Sequence, residues 1–237
     1  MNLLTRVLVL APLAVYVNFA VAGNVALRAG VGTGDYNITF ESCQTSSKCN
    51  SLKADADYQP IQIGATYIFN SRDYLDLSYS SSSGNSIEQA PSQELDRTDI
   101  TLTYGQARPS FNSYFGLKQG KTSINNSIQT GFDVLGVFAG LGYTIPVKTI
   151  GAFNMTLMGV LSQATWKDTT GPDLDADISF GYSAGVTYSH NINDNLSASL
   201  EFKKQSYTYD FSSSFNLYSR TIEEDMQTLG VVVRYAF

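Results

Sequence analysis

The sequence predicts an all-β protein: a single antiparallel, up-and-down transmembrane β-barrel of about ten strands, with eight or twelve as alternatives. Three observations predict it. Apolar and polar residues alternate with period two along most of the chain. The connections between these stretches are short and long in strict turn. Aromatic residues gather near both ends of the stretches instead of their middles, Tyr67, Tyr143 and Phe237 among them near the short connections and Tyr79, Trp166 and Phe202 near the long ones.

The first 22 residues, "MNLLTRVLVLAPLAVYVNFAVA", carry one positive charge at Arg6, then an apolar run, then Ala20 and Ala22 before Gly23. That is the layout of a secretory signal peptide. A membrane anchor is the competing reading; Pro12 and the Ala-Val-Ala ending favour cleavage. The expected division is a signal peptide over 1–22 and a barrel domain over 23–237.

The first strand, about 24–38, sets Val25, Leu27, Ala29 and Val31 against Arg28, Gly30 and Gly32. The second, 58–70, puts Ile61, Ile63, Ala65, Tyr67 and Phe69 on one face, and the third, 74–83, puts Leu75, Leu77 and Tyr79 together. The fourth, 96–106, sets Ile100, Leu102 and Tyr104 against Asp99, Thr101 and Thr103; a fifth covers 111–122. Residues Val134 to Trp166 look at first like two short helices around Pro146 and Lys148. They are rich in Gly, Thr and β-branched residues and they alternate, so they read as strands 132–145 and 150–166 around a turn. Strands over 178–191, 196–209 and 221–237 complete the set. The short connections are 70–73, 107–110, 146–149 and 191–194; the long polar ones are 41–56, 84–95, 123–131, 167–177 and 210–220. A soluble sandwich has no reason to sort its loops by length onto two ends. A membrane barrel does, with short periplasmic turns and long extracellular loops.

The net charge is −6 and charged residues make up 15%. With no basic patch, nucleic acid is excluded as an expected partner. Cys43 and Cys49 flank five residues of a polar loop, which in an exported chain reads as a local disulfide, with metal binding as the alternative. The single histidine, His190, follows Ser189, but strand neighbours point to opposite faces and cannot pair as nucleophile and base. The expectation is a non-enzymatic chain without a cofactor. Asp168, Asp173, Asp175 and Asp177 share one long loop; Asp173, Asp175 and Asp177 form a weak candidate site for a hard cation, against the plainer reading of a solvated acidic loop. Glu223, Glu224 and Asp225 would extend that acidic rim.

With the apolar parity facing lipid, the lumen receives Arg28, Asp76, Arg97, Asp99, Lys118, Glu201, Lys203 and Arg234. Charge in a narrow barrel needs pairing, and Glu201 is the expected neighbour of Arg234. Many other inward positions are glycine, which would leave volume in the lumen or relieve crowding in a tightly curved sheet; a barrel near the small end of the range is expected to be narrow or blocked.

The pattern as a whole resembles the small outer-membrane β-barrels of Gram-negative bacteria. The ending "TLGVVVRYAF" is its most specific part: Phe237 and Tyr235 match the assembly signal of that class, while Gly230 sits two residues earlier than the usual glycine, where Val232 stands. The resemblance implies an outer-membrane location, contact with membrane lipid and lipopolysaccharide, and recognition by the barrel-assembly machinery. The expected function is a narrow or plugged barrel, at most a small-solute or ion pore; the alternative is a surface adhesin using its extracellular loops on host surface ligands.

Overall fold

The computed structural model describes residues 25–45, 48–69, 72–88, 90–125, 130–147, 150–168, 173–211 and 219–237. The segment read as a signal peptide lies outside them. The strands are β1 (Val25–Thr45), β2 (Lys48–Tyr58), β3 (Ile61–Ile68), β4 (Asp73–Ile87), β5 (Ala90–Ala107) and β6 (Phe111–Asn125). They continue as β7 (Thr130–Val147), β8 (Gly151–Asp168), β9 (Leu174–Asp175), β10 (Ser179–Asn191), β11 (Leu196–Asp210) and β12 (Ser219–Ala236). Every pairing is antiparallel. The last strand pairs with the first, from Ala26↔Ala236 to Cys43↔Ser219, and this closes the ring.

β2 and β3 fill one wall position. Both pair with β1 and keep one register, Gly34↔Tyr58 above and Val31↔Ile61 below. Between them Pro60 has no amide hydrogen for the ladder, though its carbonyl accepts from the Gly32 amide at 2.8 Å. β9 is a two-residue piece against Thr165 and Trp166. The ring thus has ten positions. At the short-turn end, Asn193 fixes one turn by accepting from the amides of Asn195 (2.9 Å) and Leu196 (2.8 Å).

The strands outrun a membrane. A tilted strand needs about 9–11 residues to cross, whereas β1 has 21 and β5, β7, β8 and β12 have 18 each. The short turns fix one end, so the surplus projects on the other. Segments 41–56 and 84–95, read from sequence as long loops, are therefore mostly strand: β1 runs on to Thr45, β2 starts at Lys48, and β4 and β5 continue to Ile87 and from Ala90.

The reason they do not look like strands is a change in what the outside demands. In the lower half the outward parity is apolar: Leu135, Val137 and Leu141 on β7, Leu229, Val231 and Val233 on β12, all exposed. In the upper half the outward parity is polar, with Asp35 and Asn37 on β1 and Glu223 and Gln227 on β12. There the inward parity becomes apolar: Tyr36, Ile38, Ile222 and Met226 are buried inside. Lipid outside requires apolar outward residues; water outside requires polar ones, and the interior must then exclude water by its own packing.

That inversion locates the membrane surface, and arginine substitution tests it. Val137→Arg, on the lipid-facing parity, is expected to cost about 2–4 kcal/mol, against about 0–1 for Asn37→Arg, which is outward but above the band. Urea titration of protein refolded into vesicles reads both; equal costs would mean that the band is misplaced.

The Cys43–Cys49 disulfide is present, with Cα atoms 4.0 Å apart, and joins directly opposed residues of β1 and β2 near the hairpin tip. The aromatics near the short turns do face outward, among them Tyr67, Phe69, Tyr143, Phe153, Tyr235 and Phe237, as do Tyr79, Phe180, Tyr182 and Phe202 at the upper border. Trp166 is an exception to the outer belt expected from sequence. It shares the inward parity of β8 with Val160 and Ala164 and packs on Phe132 and Phe40 inside the barrel.

Candidate functional site: the barrel interior

Three groups of side chains fill the interior. The uppermost is a single cluster of buried side chains, including Tyr36, Ile38, Tyr58, Leu95, Phe132 and Tyr209, with contributions from nearly every wall position. Phe132 stacks on Trp166 with ring centroids 6.4 Å apart and meets Tyr209 at 5.9 Å. This packing occupies the extracellular half, where water would otherwise fill the barrel.

Interleaved with it is a network of buried charge: on β12 Glu224 lies between the cluster members Ile222 and Met226, and Phe138 of the cluster lies nearer the short turns than Gly136, which faces Lys118. Glu224 on β12 is fully buried and accepts from Arg97 Nη1 (2.7 Å), Tyr209 OH (3.0 Å) and Thr122 Oγ1 (3.2 Å), and from the Tyr36 hydroxyl. Burial, and then the Glu224 charge, push both tyrosine hydroxyls well above their ordinary pKa, so they stay protonated and donate. Arg97 also reaches Asp99, Nη2 to Oδ1 at 2.8 Å and Nε to Oδ2 at 3.0 Å. Asp99 in turn meets Lys118 at 3.2 Å, and Lys118 donates to Tyr207 OH at 2.9 Å. β5 and β6 stand opposite β11 and β12 in the ring. The chain Glu224–Arg97–Asp99–Lys118–Tyr207 therefore crosses the lumen from wall to wall.

The lowest group faces the short turns. Arg28 grips Asp76 with both Nη atoms, the longer contact being 2.7 Å, and Thr66 donates to the same carboxylate at 2.7 Å. Gln62 donates to Glu201 at 3.4 Å. Lys203 and Arg234 point inward yet remain accessible to water. Arg234 does not neighbour Glu201: it stands opposite Arg28 on one side and Ser197 on the other, while Glu201 pairs with Gly230. The strands cross at a register four residues away from the one that sequence neighbourhood suggests.

The inward glycines do not leave open volume in the way the sequence suggests. They are recesses under large neighbours. A Cβ on Gly120 would lie 2.5 Å from Arg97 Nη2, and one on Gly64 would lie 2.7 Å from Arg28 Cζ. Each guanidinium lies flat across bare backbone, and this lets it reach its carboxylate.

Sequence reading placed Glu224 on the outer acidic rim and so missed the carboxylate on which the charge network converges. Strict alternation was the available signal: Glu224 shares parity with Gly230 and Arg234, both inward, while Glu223 and Asp225 face out. Asp175 accepts from Thr165 Oγ1 at 2.7 Å, and the Asp177 amide donates to the Asp210 carbonyl at 2.7 Å. Among the described residues one group of three potential ligands lies within 4.8 Å, Glu41 with Cys43 and Cys49, whose sulfurs are already joined; Asp173, Asp175 and Asp177 form no such group. Asp168 ends β8, and its side chain lies outside the described residues. His190 is exposed at the short-turn end, 3.4 Å from Tyr188 OH. Tyr235 and Phe237 pack edge to face at 5.0 Å, and the Phe237 amide donates to the Val25 carbonyl at 2.9 Å, tying the last residue to the first strand.

No protein-family model matches the chain, and neither does any curated protein sequence. Solved structures do. The outer membrane protease OmpT from Escherichia coli is similar over 90% of this chain and 97% of that one, at 11% identity and a TM-score of 0.62. Neisserial surface protein A (NspA) covers 90% and 97% at 12% identity and a TM-score of 0.41. The outer membrane protein OprG from Pseudomonas aeruginosa covers 91% and 96% at 11% identity and a TM-score of 0.42. At these identities what is shared is the fold, that of an outer-membrane β-barrel.

Proposed function

We propose that the chain is a sealed outer-membrane barrel that works through its extracellular surface, without a through-pore and without catalysis. The observation that carries this is the interior of the upper half, filled by one apolar cluster interleaved with a charge network that spans the lumen. A pore needs a continuous polar path, and both lie across it. What remains available to partners is the strand-built extension above the membrane, presenting Asp35, Asn37, Asp57, Glu223 and Gln227 outward. The non-enzymatic part of the reading is supported by His190, which lies at the end remote from this extension. Residues 1–22 act as a cleaved export signal, and Tyr235 and Phe237 are read by the assembly machinery. Lipopolysaccharide surrounds the outer border. Mature protein from the membrane fraction should then begin near Gly23 by intact mass.

Purified barrel in a planar bilayer should stay silent across voltages that open small pores. Exchange of segment 41–51 for a short turn should leave the barrel folded, as a fast-running unboiled gel band, and reduce binding to host cells or matrix. Stable unitary conductance would overturn the sealed reading, and unchanged binding would overturn the surface reading.

A further inference from the structure

At the short-turn end of the lumen two arginines meet at one carboxylate, Asp76. Arg28 and Arg234 stand directly opposite each other on β1 and β12, both on the inward parity. Like charges directly opposed across strands repel, and each normally needs a counter-charge. Among the described residues one carboxylate, Asp76, acts on both. Asp76 takes Arg28 through both Nη atoms, and Arg28 is held flat over Gly64, where a Cβ would crowd three guanidinium atoms at 2.7–2.9 Å. Arg28 therefore cannot turn away to relieve the contact. Among the described residues Arg234 has no ion pair and no hydrogen bond through its side chain.

The surroundings suit an anion. Ser197, opposite Arg234 on β11, brings a hydroxyl on the same inward parity. Arg234 is accessible to water although it points into the barrel, so a solute from the short-turn side can reach it. The charge network above is balanced, Arg97 and Lys118 against Asp99 and Glu224. Lys203 stands between that network and Glu201, within reach of Lys118 and Asp99, and below it Arg28 and Arg234 meet at Asp76. Among the described residues the interior thus carries five cations against four carboxylates, inside a chain whose net charge is −6, and at its short-turn corner two guanidiniums share Asp76.

We propose that the Arg234–Arg28–Ser197 corner is an oxyanion site, open to the periplasmic end, that takes the phosphate or carboxylate group of a small solute. Guanidinium forks bind both groups through paired N–H donors. An anion between the two arginines would turn a repulsive pair into a bridged one, with the serine hydroxyl as a further donor. Binding of this kind needs no path through the barrel, so it stands apart from the sealed reading above.

The test is titration of refolded barrel in zwitterionic micelles with inorganic phosphate and, separately, with acetate, against chloride at matched ionic strength. Arginine side-chain Nε–H resonances report binding residue by residue. Arg234 and Arg28 should shift saturably. Response to phosphate alone identifies a phosphate site, and equal response to acetate identifies a general oxyanion site. Arg234→Gln should weaken binding by about tenfold or more, and Arg234→Lys by less, because lysine keeps the charge without the fork. Arg108→Gln, at the short-turn rim, should change nothing. Unboiled gel mobility confirms that each variant is folded; Arg234→Lys serves if Arg234→Gln is not. No saturable shift in the unaltered protein, or equal binding with and without the Arg234 guanidinium, would overturn the proposal.

Discussion

Glu224→Ala is expected to cost about 3–5 kcal/mol, because removing one partner of a buried ion pair leaves the other charge uncompensated. The loss is more than one contact. Donors from β1, β5, β6 and β11 converge on this one carboxylate of β12: Tyr36, Arg97, Thr122 and Tyr209. Both Arg97 and Glu224 have side chains with no solvent exposure, so water cannot replace the lost acceptor. Asp99 still holds the other edge of the Arg97 guanidinium, which keeps the cost at the level of a broken pair and below that of a bare buried charge. Glu224→Gln keeps an acceptor oxygen but turns an amide towards Arg97, and should fall between alanine and the unaltered protein. Arg97→Met combined with Glu224→Met removes both charges and should recover most of the loss, since well-packed apolar replacements of buried pairs are often neutral or better. Urea titration of vesicle-refolded protein measures all three. A Glu224→Ala cost within about 1 kcal/mol of zero would mean that the pair is not formed in the folded barrel.

The same carboxylate shows what the sequence could and could not yield. Period-two alternation was enough for the strand count and for closure of β12 onto β1, because lipid outside the wall imposes one rule along the whole lower half. The rule reverses where the wall leaves the membrane. On β2, Lys53 and Asp55 then look like loop residues, and the buried Ala54 and Ala56 give no apolar stripe, although the backbone is strand. Glu224 and Trp166 depart from the outer-rim and outer-belt expectations for this reason: distance from the turns gives a residue's height on the wall, and its parity gives the face. Parity assigns a face and not a partner. Arg97 meets Glu224 only because ring closure sets β5 opposite the seam of β11 and β12, a relation that spans 127 residues. The Arg28–Asp76 pair needed a different fact, namely that Gly64 on the intervening strand lets a guanidinium cross it.

Phe132→Ala should be the second severe substitution, at about 3–5 kcal/mol, and its value lies in the comparison with Leu135→Ala. Both residues are on β7, three apart, on opposite faces. Phe132 is 1% exposed and sits between Trp166 and Tyr209. Leu135 is 66% exposed and touches lipid. Truncating Phe132 leaves a hole that the closed wall cannot collapse around, because the ladder to β6 and β8 fixes the backbone on both sides. Truncating Leu135 leaves a dent that acyl chains fill, so it should cost much less. A barrel held together only by its wall, with a wet lumen, would show no such difference, since Phe132 would then face water and its loss would be nearly neutral. Near-equal costs would therefore count directly against the packed interior. Bilayer recording adds a second readout. If the cluster is the seal, Phe132→Ala combined with Tyr209→Ala should leak small ions where the unaltered barrel is silent, whereas Leu135→Ala should not. A silent double variant with a large stability loss would leave the charge network of Glu224, Arg97, Asp99 and Lys118 as the barrier.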